Sequence, residues 1–182
     1  MSRLLLIDSH AILHRTYHAL PKANFKSRGQ LVNAVYGFFS MFLKAIDELK
    51  PDYLITGFDA PGPTFRHEKF IGYQAHRPEV EDELKSQMKI TRKSLKDADI
   101  PVLLMKGYEA DDIIGTIVEK VCQGKLPKDL EIEEVIVVTG DKDLMQLVND
   151  KTKLFMLSNG ISGSDLVGPK QVKEKLGIKP NQ

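Results

Sequence analysis

The 182-residue chain has almost no cysteine and no long apolar segment. Its single cysteine, Cys122, cannot form an internal disulfide and has no second thiolate with which to build a zinc site. The longest apolar runs, at residues 4–7 and 135–138, are far too short to cross a bilayer. The first run reaches Asp8 after four apolar residues, unlike the apolar core of a signal peptide. These absences predict a reducing, cytoplasmic location and no membrane partner.

Acidic residues are missing from one long stretch. No Asp or Glu occurs from Ser9 to Ile46, although this stretch holds five Lys or Arg residues and three histidines. The net charge of +1 hides this uneven distribution. It predicts a surface that faces phosphate and a separate pocket that faces cations. Chance clustering of charge on a solvated surface is the alternative that composition leaves open.

Short apolar runs alternate with amphipathic segments along the chain. The runs at 4–7, 53–58, 102–105, 135–138 and 154–157 predict buried strands. Apolar residues at helical spacing predict helices at 31–49, 80–97, 113–121 and 170–176. The segments 21–29 and 60–78 are predicted to be irregular. This alternation predicts an α/β fold with a mainly parallel central sheet flanked by helices.

Carboxylates follow the predicted strands, and a parallel sheet binds ligands beyond the carboxyl ends of its strands. Seven acids follow four different strands: Asp8, Asp59, Glu109, Asp111, Asp112, Asp141 and Asp143. Each has a plainer explanation on its own, as a residue favoured at a helix N-terminus, as an N-cap or as a turn residue. Four strand ends at one edge favour a common site instead.

Seven carboxylates at one site need compensating charge. At about 4 Å, two unit charges repel by roughly 4 kcal/mol at an effective dielectric constant of about 20. Oxygen ligands with few histidines favour Mg²⁺ or Mn²⁺ over zinc. A pair of metal ions about 3.5–4 Å apart is suited to phosphoryl chemistry. The sequence therefore predicts a two-metal site.

Four motifs occur in a familiar order. They include Leu-Leu-Leu-Ile-Asp at 4–8 with His-Arg-Thr-Tyr at 14–17, and Phe-Asp-Ala at 58–60 with Phe-Arg-His-Glu at 65–68. Gly-Tyr-Glu-Ala-Asp-Asp at 107–112 and Thr-Gly-Asp-Lys-Asp-Leu at 139–144 follow. In this order the motifs resemble the N-terminal 5′–3′ exonuclease domain of bacterial DNA polymerase I and the flap endonucleases. The resemblance covers residues 4 to about 180.

The resemblance implies a single PIN-like, three-layer nuclease domain over residues 1–182, with an arch or clamp region at about 60–98. It implies two Mg²⁺ (or Mn²⁺) ions. One would be held by Asp8, Asp59, Glu109 and Asp111, and the other by Asp141 and Asp143, with Asp112 near both. The implied reaction is hydrolysis of a DNA phosphodiester, in which a metal-activated water attacks phosphorus and the 3′ oxygen leaves. Arg66 and Arg77 join the first metal's ligands in the catalytic set.

The implied substrate is DNA with a 5′ flap, a 5′ end or a single-strand/duplex junction, met in replication and repair. RNA in RNA–DNA hybrids as a substrate, and a polymerase domain in the same natural chain, are left open. We expect eight residues to contact DNA: Arg15, Tyr17, Lys26, Arg28, Arg66, Tyr73, Gln74 and Arg77. For Tyr73, packing against the helix is the alternative to stacking on a base.

Two departures from the family pattern limit the expected activity. Gln74 stands where the family usually has a lysine, and loss of a comparable electrostatic donor costs about 10²–10³ in rate. The family's helix–hairpin–helix module, which supplies further aspartates to the second metal, is absent, so we expect a truncated chain with a weak second site. The alternative function is a flap- or junction-binding module with little catalysis. A haloacid-dehalogenase-type phosphatase is rejected because Asp8 lacks a second aspartate two residues later.

Overall fold

The computed structural model describes residues 2–70, 72–73, 78–127, 130–157 and 163–180. The strands are β1 Arg3–Asp8, β2 Lys26–Ser27, β3 Gln30–Leu31, β4 Tyr53–Gly57, β5 Val102–Leu103, β6 Glu134–Thr139, β7 Thr152–Leu157 and β8 Ser164–Val167. The helices are α1 Ser9–Ala19, α2 Asn33–Leu49, α3 Phe65–Lys69, α4 Asp82–Asp97, α5 Ala110–Cys122 and α6 Pro169–Leu176. Short 3₁₀ helices span Lys22–Asn24 and Asp143–Leu147.

The central sheet has the order β5-β4-β1-β6-β7-β8. Its strands pair in parallel except for β8, which is antiparallel to β7. The predicted α/β fold with a mainly parallel sheet is confirmed. From β1 the chain builds first towards β4 and β5, then crosses to the other side of β1 to form β6. The crevice at the carboxyl ends of β1 and β6 is therefore the point where such sheets bind ligands.

Both faces of the sheet are covered by helices, which explains why the strands are continuously apolar. In β1, Leu5 and Ile7 belong to the core cluster that includes α1, α2 and α4. Leu4 and Leu6 belong to the cluster on the other face, with α5 and α6. Side chains of a strand alternate between faces, so every second residue joins the same cluster. Among the described helices, none has both the length and the apolar character to cross a membrane.

Helices α1 and α2 lie unusually close together at Gly37. A Cβ atom at Gly37 would lie 2.5 Å from the Cβ of Thr16, so only glycine fits without movement. The start of α2 is capped from another helix: Gln87 Oε1 in α4 accepts hydrogen bonds from the backbone amides of Ala34 (2.7 Å) and Val35 (3.2 Å). This buried contact fixes α4 against the α1–α2 pair.

Several local predictions were wrong. The segment 21–29 contains a 3₁₀ turn and the first strand of the β2–β3 hairpin, whose two loop residues, Arg28 and Gly29, both have positive φ. Arg-Gly is not a typical sequence for such a turn, which explains the error. The segment 60–78 contains α3, the strand predicted at 102–105 covers only Val102–Leu103, and β8 was not predicted because it has no apolar run.

Candidate metal centre

Asp8 lies at the carboxyl end of β1 and is 1% exposed. Its Oδ1 accepts a hydrogen bond from the backbone amide of Ala11 (3.1 Å), so it caps α1, and its Oδ2 accepts one from Thr139 Oγ1 (2.7 Å) at the end of β6. Burial raises the pKa of Asp8 to about 7 against these two hydrogen bonds, with smaller contributions from the charges of Asp111 and Asp59. A buried carboxylate of this kind favours a proton or a cation beside it.

Asp59 lies two residues beyond β4 and links the sheet to two helices. Its Oδ1 accepts a hydrogen bond from the backbone amide of Ala110 (2.7 Å), the first residue of α5. Its Oδ2 lies 3.5 Å from His10 Nδ1 in α1. The second predicted strand end therefore delivers its carboxylate to the start of α5.

Asp111 lies in the first turn of α5 and is close enough to acidic residues of several segments for their charges to affect its pKa. Burial raises its pKa to about 6, followed by repulsion from Asp141 and Asp59, with smaller contributions from its neighbours Glu109 and Asp112. Because Asp141 follows β6 and Asp59 follows β4, carboxylates from distant parts of the sequence lie within electrostatic reach of one another. These residues all follow strands at the carboxyl edge of the sheet, and their sharing of one metal site stays a prediction.

Glu109 and Asp112 lie at the start of α5, where the guanidinium of Arg66 contacts both carboxylates. Arg66 in α3 makes a bidentate ion pair with Asp112, at 2.7 and 2.8 Å, and its Nη1 lies 3.4 Å from Glu109 Oε2. Tyr73 donates a hydrogen bond to Glu109 Oε2 at 3.0 Å. Burial raises the pKa of Asp112, but the hydrogen bonds from Arg66, the hydrogen bond from the amide of Glu109 and the charge of Arg66 together leave that pKa below its ordinary value.

Asp141 and Asp143 follow β6 in a tight turn. The backbone amide of Asp141 donates to Thr139 Oγ1 (3.0 Å), and Asp141 Oδ1 accepts from the backbone amide of Asp143 (2.9 Å). Asp141 thus accepts a hydrogen bond from the first residue of the 3₁₀ helix, and its charge also raises the pKa of Asp111. Asp143 is exposed at the start of that helix.

These carboxylates do not form a preformed metal cage. Within the described ranges, no three His, Cys, Asp or Glu side chains are grouped so that they could hold an ion as they stand. Several of their oxygens instead accept hydrogen bonds from protein donors, such as Thr139, Arg66 and the amide of Ala110. The site gathers negative charge at one edge, and coordination would require these side chains to exchange partners.

Comparison with known proteins assigns the chain to a family. The family described as "5′-3′ exonuclease, N-terminal resolvase-like domain" matches residues 3–177. The chain belongs to this family. It is 38% identical over 182 residues to DNA polymerase I of Bacillus subtilis, covering 99% of this chain and 20% of that protein. It is 37% identical over 180 residues to DNA polymerase I of Mycobacterium bovis, covering 98% of this chain and 19% of that protein. The chain thus spans about one fifth of the length of these relatives.

Solved structures show the same fold. The T5 5′-exonuclease with bound divalent metal ions (zinc) superposes with a TM-score of 0.65 at 19% identity, covering 97% of this chain and 61% of that chain. The catalytic core of Rad2 in complex with DNA substrate gives a TM-score of 0.57 at 16% identity, covering 98% and 50%. The PIN-like fold implied by the family motifs is therefore confirmed.

Residues expected to contact DNA lie in different environments of this exonuclease-family domain. The prediction for Tyr17 is wrong: its side chain is 1% exposed in the core, and its hydroxyl pairs with Glu81 (2.6 Å) and Lys22 (2.8 Å). A buried ring cannot stack on a base. Arg15 is half-buried, and a Cβ at Gly140 would lie 3.2 Å from its Cδ, so Arg15 lies beside the turn that carries Asp141.

The remaining expected DNA contacts are only partly described. Lys26 and Arg28 are exposed in the β2–β3 hairpin. Tyr73 is half-buried with its hydroxyl on Glu109, which agrees with packing against the helix. Gln74 and Arg77 lie outside the described residues.

Three residues that hold the family's carboxylates were missed from the sequence. Thr139 donates to Asp8, His10 lies next to Asp59, and Thr64 Oγ1 lies 3.4 Å from Glu109 Oε1. A polar residue directly after the apolar run 135–138 of β6 is a signal that could have identified Thr139. Thr64 and His10 had no comparable signal, because their roles depend on contacts across the fold.

Proposed function

We propose that this chain is the catalytic domain of a divalent-metal-dependent 5′–3′ exonuclease and structure-specific 5′-flap endonuclease. It hydrolyses DNA phosphodiester bonds in replication and repair. The observation that carries the proposal is the placement of Asp8, Asp59, Asp111 and Asp141, which end or follow β1, β4, β5 and β6 at one edge of the sheet. Hydrogen bonds from Thr139 to Asp8 and from the amide of Ala110 to Asp59 link these segments there. Family membership supports the reaction class. The T5 5′-exonuclease with divalent metal ions and the Rad2 core with DNA substrate support a metal and DNA.

The donor set fits Mg²⁺ or Mn²⁺. The candidate ligands are carboxylate oxygens, which suit hard cations. Asp8 is almost fully buried with a pKa of about 7, so a dication beside it would offset the burial of its charge. Asp8, Asp59, Glu109 and Asp111 would hold the first ion and Asp141 and Asp143 a weaker second one, with Asp112 near both. When bound, such ions lower the pKa of a water and neutralise the phosphate.

The protein's own residues would orient the reacting groups. Thr139 and the amide of Ala11 fix the rotamer of Asp8, so its carboxylate is already directed before substrate arrives. Arg66 and Arg77 would clamp the scissile phosphate, since a guanidinium can bind two phosphate oxygens at once. Arg15, beside the turn that carries Asp141, would add positive charge for the DNA backbone.

A second function is a module that binds flaps or junctions but scarcely cleaves them. Two observations favour it: Gln74 replaces the usual lysine, and the described carboxylates are bound to protein donors rather than grouped for a metal. In that case the basic residues would bind DNA without turnover.

Cleavage of a 5′-labelled flap duplex distinguishes the two functions. With Mn²⁺ or Mg²⁺ we expect slow cleavage near the junction, stopped by EDTA and reduced about 10²-fold or more by Asp111→Ala. Asp150→Asn removes an exposed carboxylate just before β7, at the edge of the sheet opposite the carboxyl ends of the parallel strands, and should cleave like the parent. Flap binding without metal-stimulated cleavage above the Asp111→Ala level would favour the binding module. Gln74→Lys should raise turnover if the missing lysine limits it.

A further inference from the structure

Arg66 forms an ion pair with Asp112, one of the carboxylates that would contact metal in the proposed function. Its Nη2 lies 2.7 Å from Asp112 Oδ1 and its Nη1 lies 2.8 Å from Asp112 Oδ2. The two side chains are only 31% and 17% exposed, so solvent screens this pair less than an ordinary surface ion pair. Asp112 Oδ2 also accepts a hydrogen bond from the backbone amide of Glu109 (2.9 Å). Both oxygens of Asp112 are therefore engaged.

The same segment holds Glu109. Besides the 3.4 Å contact from Arg66, Glu109 receives a hydrogen bond from Tyr73 (3.0 Å) and a longer one from Thr64 (3.4 Å). Thr64, Arg66 and Tyr73 thus contact two neighbouring carboxylates at the start of α5. The guanidinium supplies there a positive charge that a dication would otherwise supply.

A metal ion and a bidentate guanidinium compete for the same carboxylate oxygens. An ion that coordinates Asp112 must displace at least one of the two Arg66 hydrogen bonds, and the charge of Arg66 also repels an approaching dication. Once displaced, a guanidinium at the edge of the site is free to bind another anion of the same geometry, such as a phosphate.

We propose that Arg66 is an exchangeable counter-ion: it neutralises Asp112 while the site lacks metal and is released when a dication binds there. This inference rests on the proposed function, because it requires that the carboxylates bind metal. Its consequence is a coupling between two events. Metal binding frees Arg66 for the phosphate of the DNA, and phosphate bound to Arg66 in turn favours metal at Asp112, since coupling between two sites is reciprocal.

Binding of Mn²⁺ to the metal-free protein, measured by calorimetry and by the electron paramagnetic resonance signal of free Mn²⁺, tests the proposal without an activity assay. Arg66→Gln removes the competitor and should lower the Kd for Mn²⁺ about tenfold, the scale of a partly exposed charged hydrogen-bonded pair. Lys69→Gln is the matched control, because it removes the same charge from the same helix and makes no ion pair with these carboxylates. It should change the Kd less than about twofold.

A second pair of variants separates competition from general charge effects. In an Asp112→Asn background, Arg66→Gln should tighten Mn²⁺ binding much less, because only the 3.4 Å contact of Arg66 with Glu109 is left to release. Arg66→Lys keeps the charge but loses the bidentate geometry, so it should give an intermediate Kd and serves if Arg66→Gln does not fold.

Two results would overturn the proposal in different ways. Equal or weaker Mn²⁺ binding by both Arg66 variants, with the parent binding normally, would show that Arg66 is a permanent brace and would leave the nuclease proposal standing. No Mn²⁺ binding by the parent or by any variant would refute the metal site, and the counter-ion proposal with it.

Discussion

Replacing Asp8 by asparagine should stabilise the metal-free protein while destroying its metal site. Asp8 is 1% exposed, and its pKa rises from 3.8 to about 7 in the fold, mainly through burial. Such a difference corresponds to about 4 kcal/mol between the folded and unfolded states. Asparagine has nearly the same shape and carries no charge, so it can keep the hydrogen bond from the amide of Ala11.

The sign of the pH dependence follows from the direction of this pKa shift. Below about pH 4 Asp8 is protonated in the folded and the unfolded state, so its ionisation does not lower the free energy of unfolding. Between about pH 4 and 7 it ionises in the unfolded chain but stays protonated in the fold, so stability falls as pH rises. Above about pH 7 the loss is complete and constant. The advantage of Asp8→Asn should therefore grow from pH 4 to pH 7 and then level off.

Urea unfolding followed by far-UV circular dichroism, in EDTA and at several pH values, measures this effect. At pH 8 we expect the free energy of unfolding of Asp8→Asn to exceed that of the parent by about 2–4 kcal/mol. The lower figure allows for the reorientation of Thr139 towards the asparagine amide. Asp150→Asn, at an exposed position, should leave the unfolding free energy within about 0.5 kcal/mol. An Asp8→Asn protein that is no more stable than the parent at pH 8 would refute the reasoning.

Three further predictions concern other parts of the domain. Asp111→Asn should also stabilise the metal-free protein, and its gain in unfolding free energy should be complete by about pH 6, where the raised pKa of Asp111 lies. A gain that keeps growing to pH 8 in urea unfolding would contradict this prediction. Gly37→Ala should lower the free energy of unfolding by about 1–3 kcal/mol, because its Cβ would lie 2.5 Å from Thr16. Gly115→Ala, whose Cβ meets nothing closer than 3.7 Å, should instead stabilise α5 by about 0.5–1 kcal/mol. Equal effects of the two variants on the thermal midpoint would refute the close approach of α1 and α2. Gln87→Leu should lower the free energy of unfolding by about 1–3 kcal/mol, because it leaves two backbone amides at the start of α2 without their acceptor. An unchanged urea midpoint would rule out this role of Gln87.

The parts of the fold that the sequence predicts are those with strong local signals. Strands β1, β6 and β7 are continuous apolar runs because both faces of the sheet are covered, and the apolar stripe of α2 marks its buried side. Asp8 and Asp59 could be assigned to one edge because residues at the carboxyl ends of parallel strands share that edge. No tertiary information was needed for either inference.

Contacts between distant segments could not be read in this way. Arg66 and Asp112 lie 46 residues apart, and nothing local to either residue indicates that they form an ion pair. Thr139 could be noticed as polar, but its partner Asp8 is 131 residues away. The burial of Tyr17 was open to prediction, because it follows the buried Leu13 by one helical turn in α1. The expected DNA contact of Tyr17 came instead from the resemblance of the motif at 14–17 to the family, which carries no information on burial.

The central claim is that carboxylates from separate strand ends bind dications together. The most direct measurement is a crystal structure of this chain grown with Mn²⁺, with anomalous scattering used to locate the ions. We predict an anomalous peak at about 2.0–2.6 Å from carboxylate oxygens of both Asp8 and Asp111, which follow different strands. Manganese peaks found only elsewhere on the protein, with these two carboxylates still bound to protein donors alone, would contradict the account.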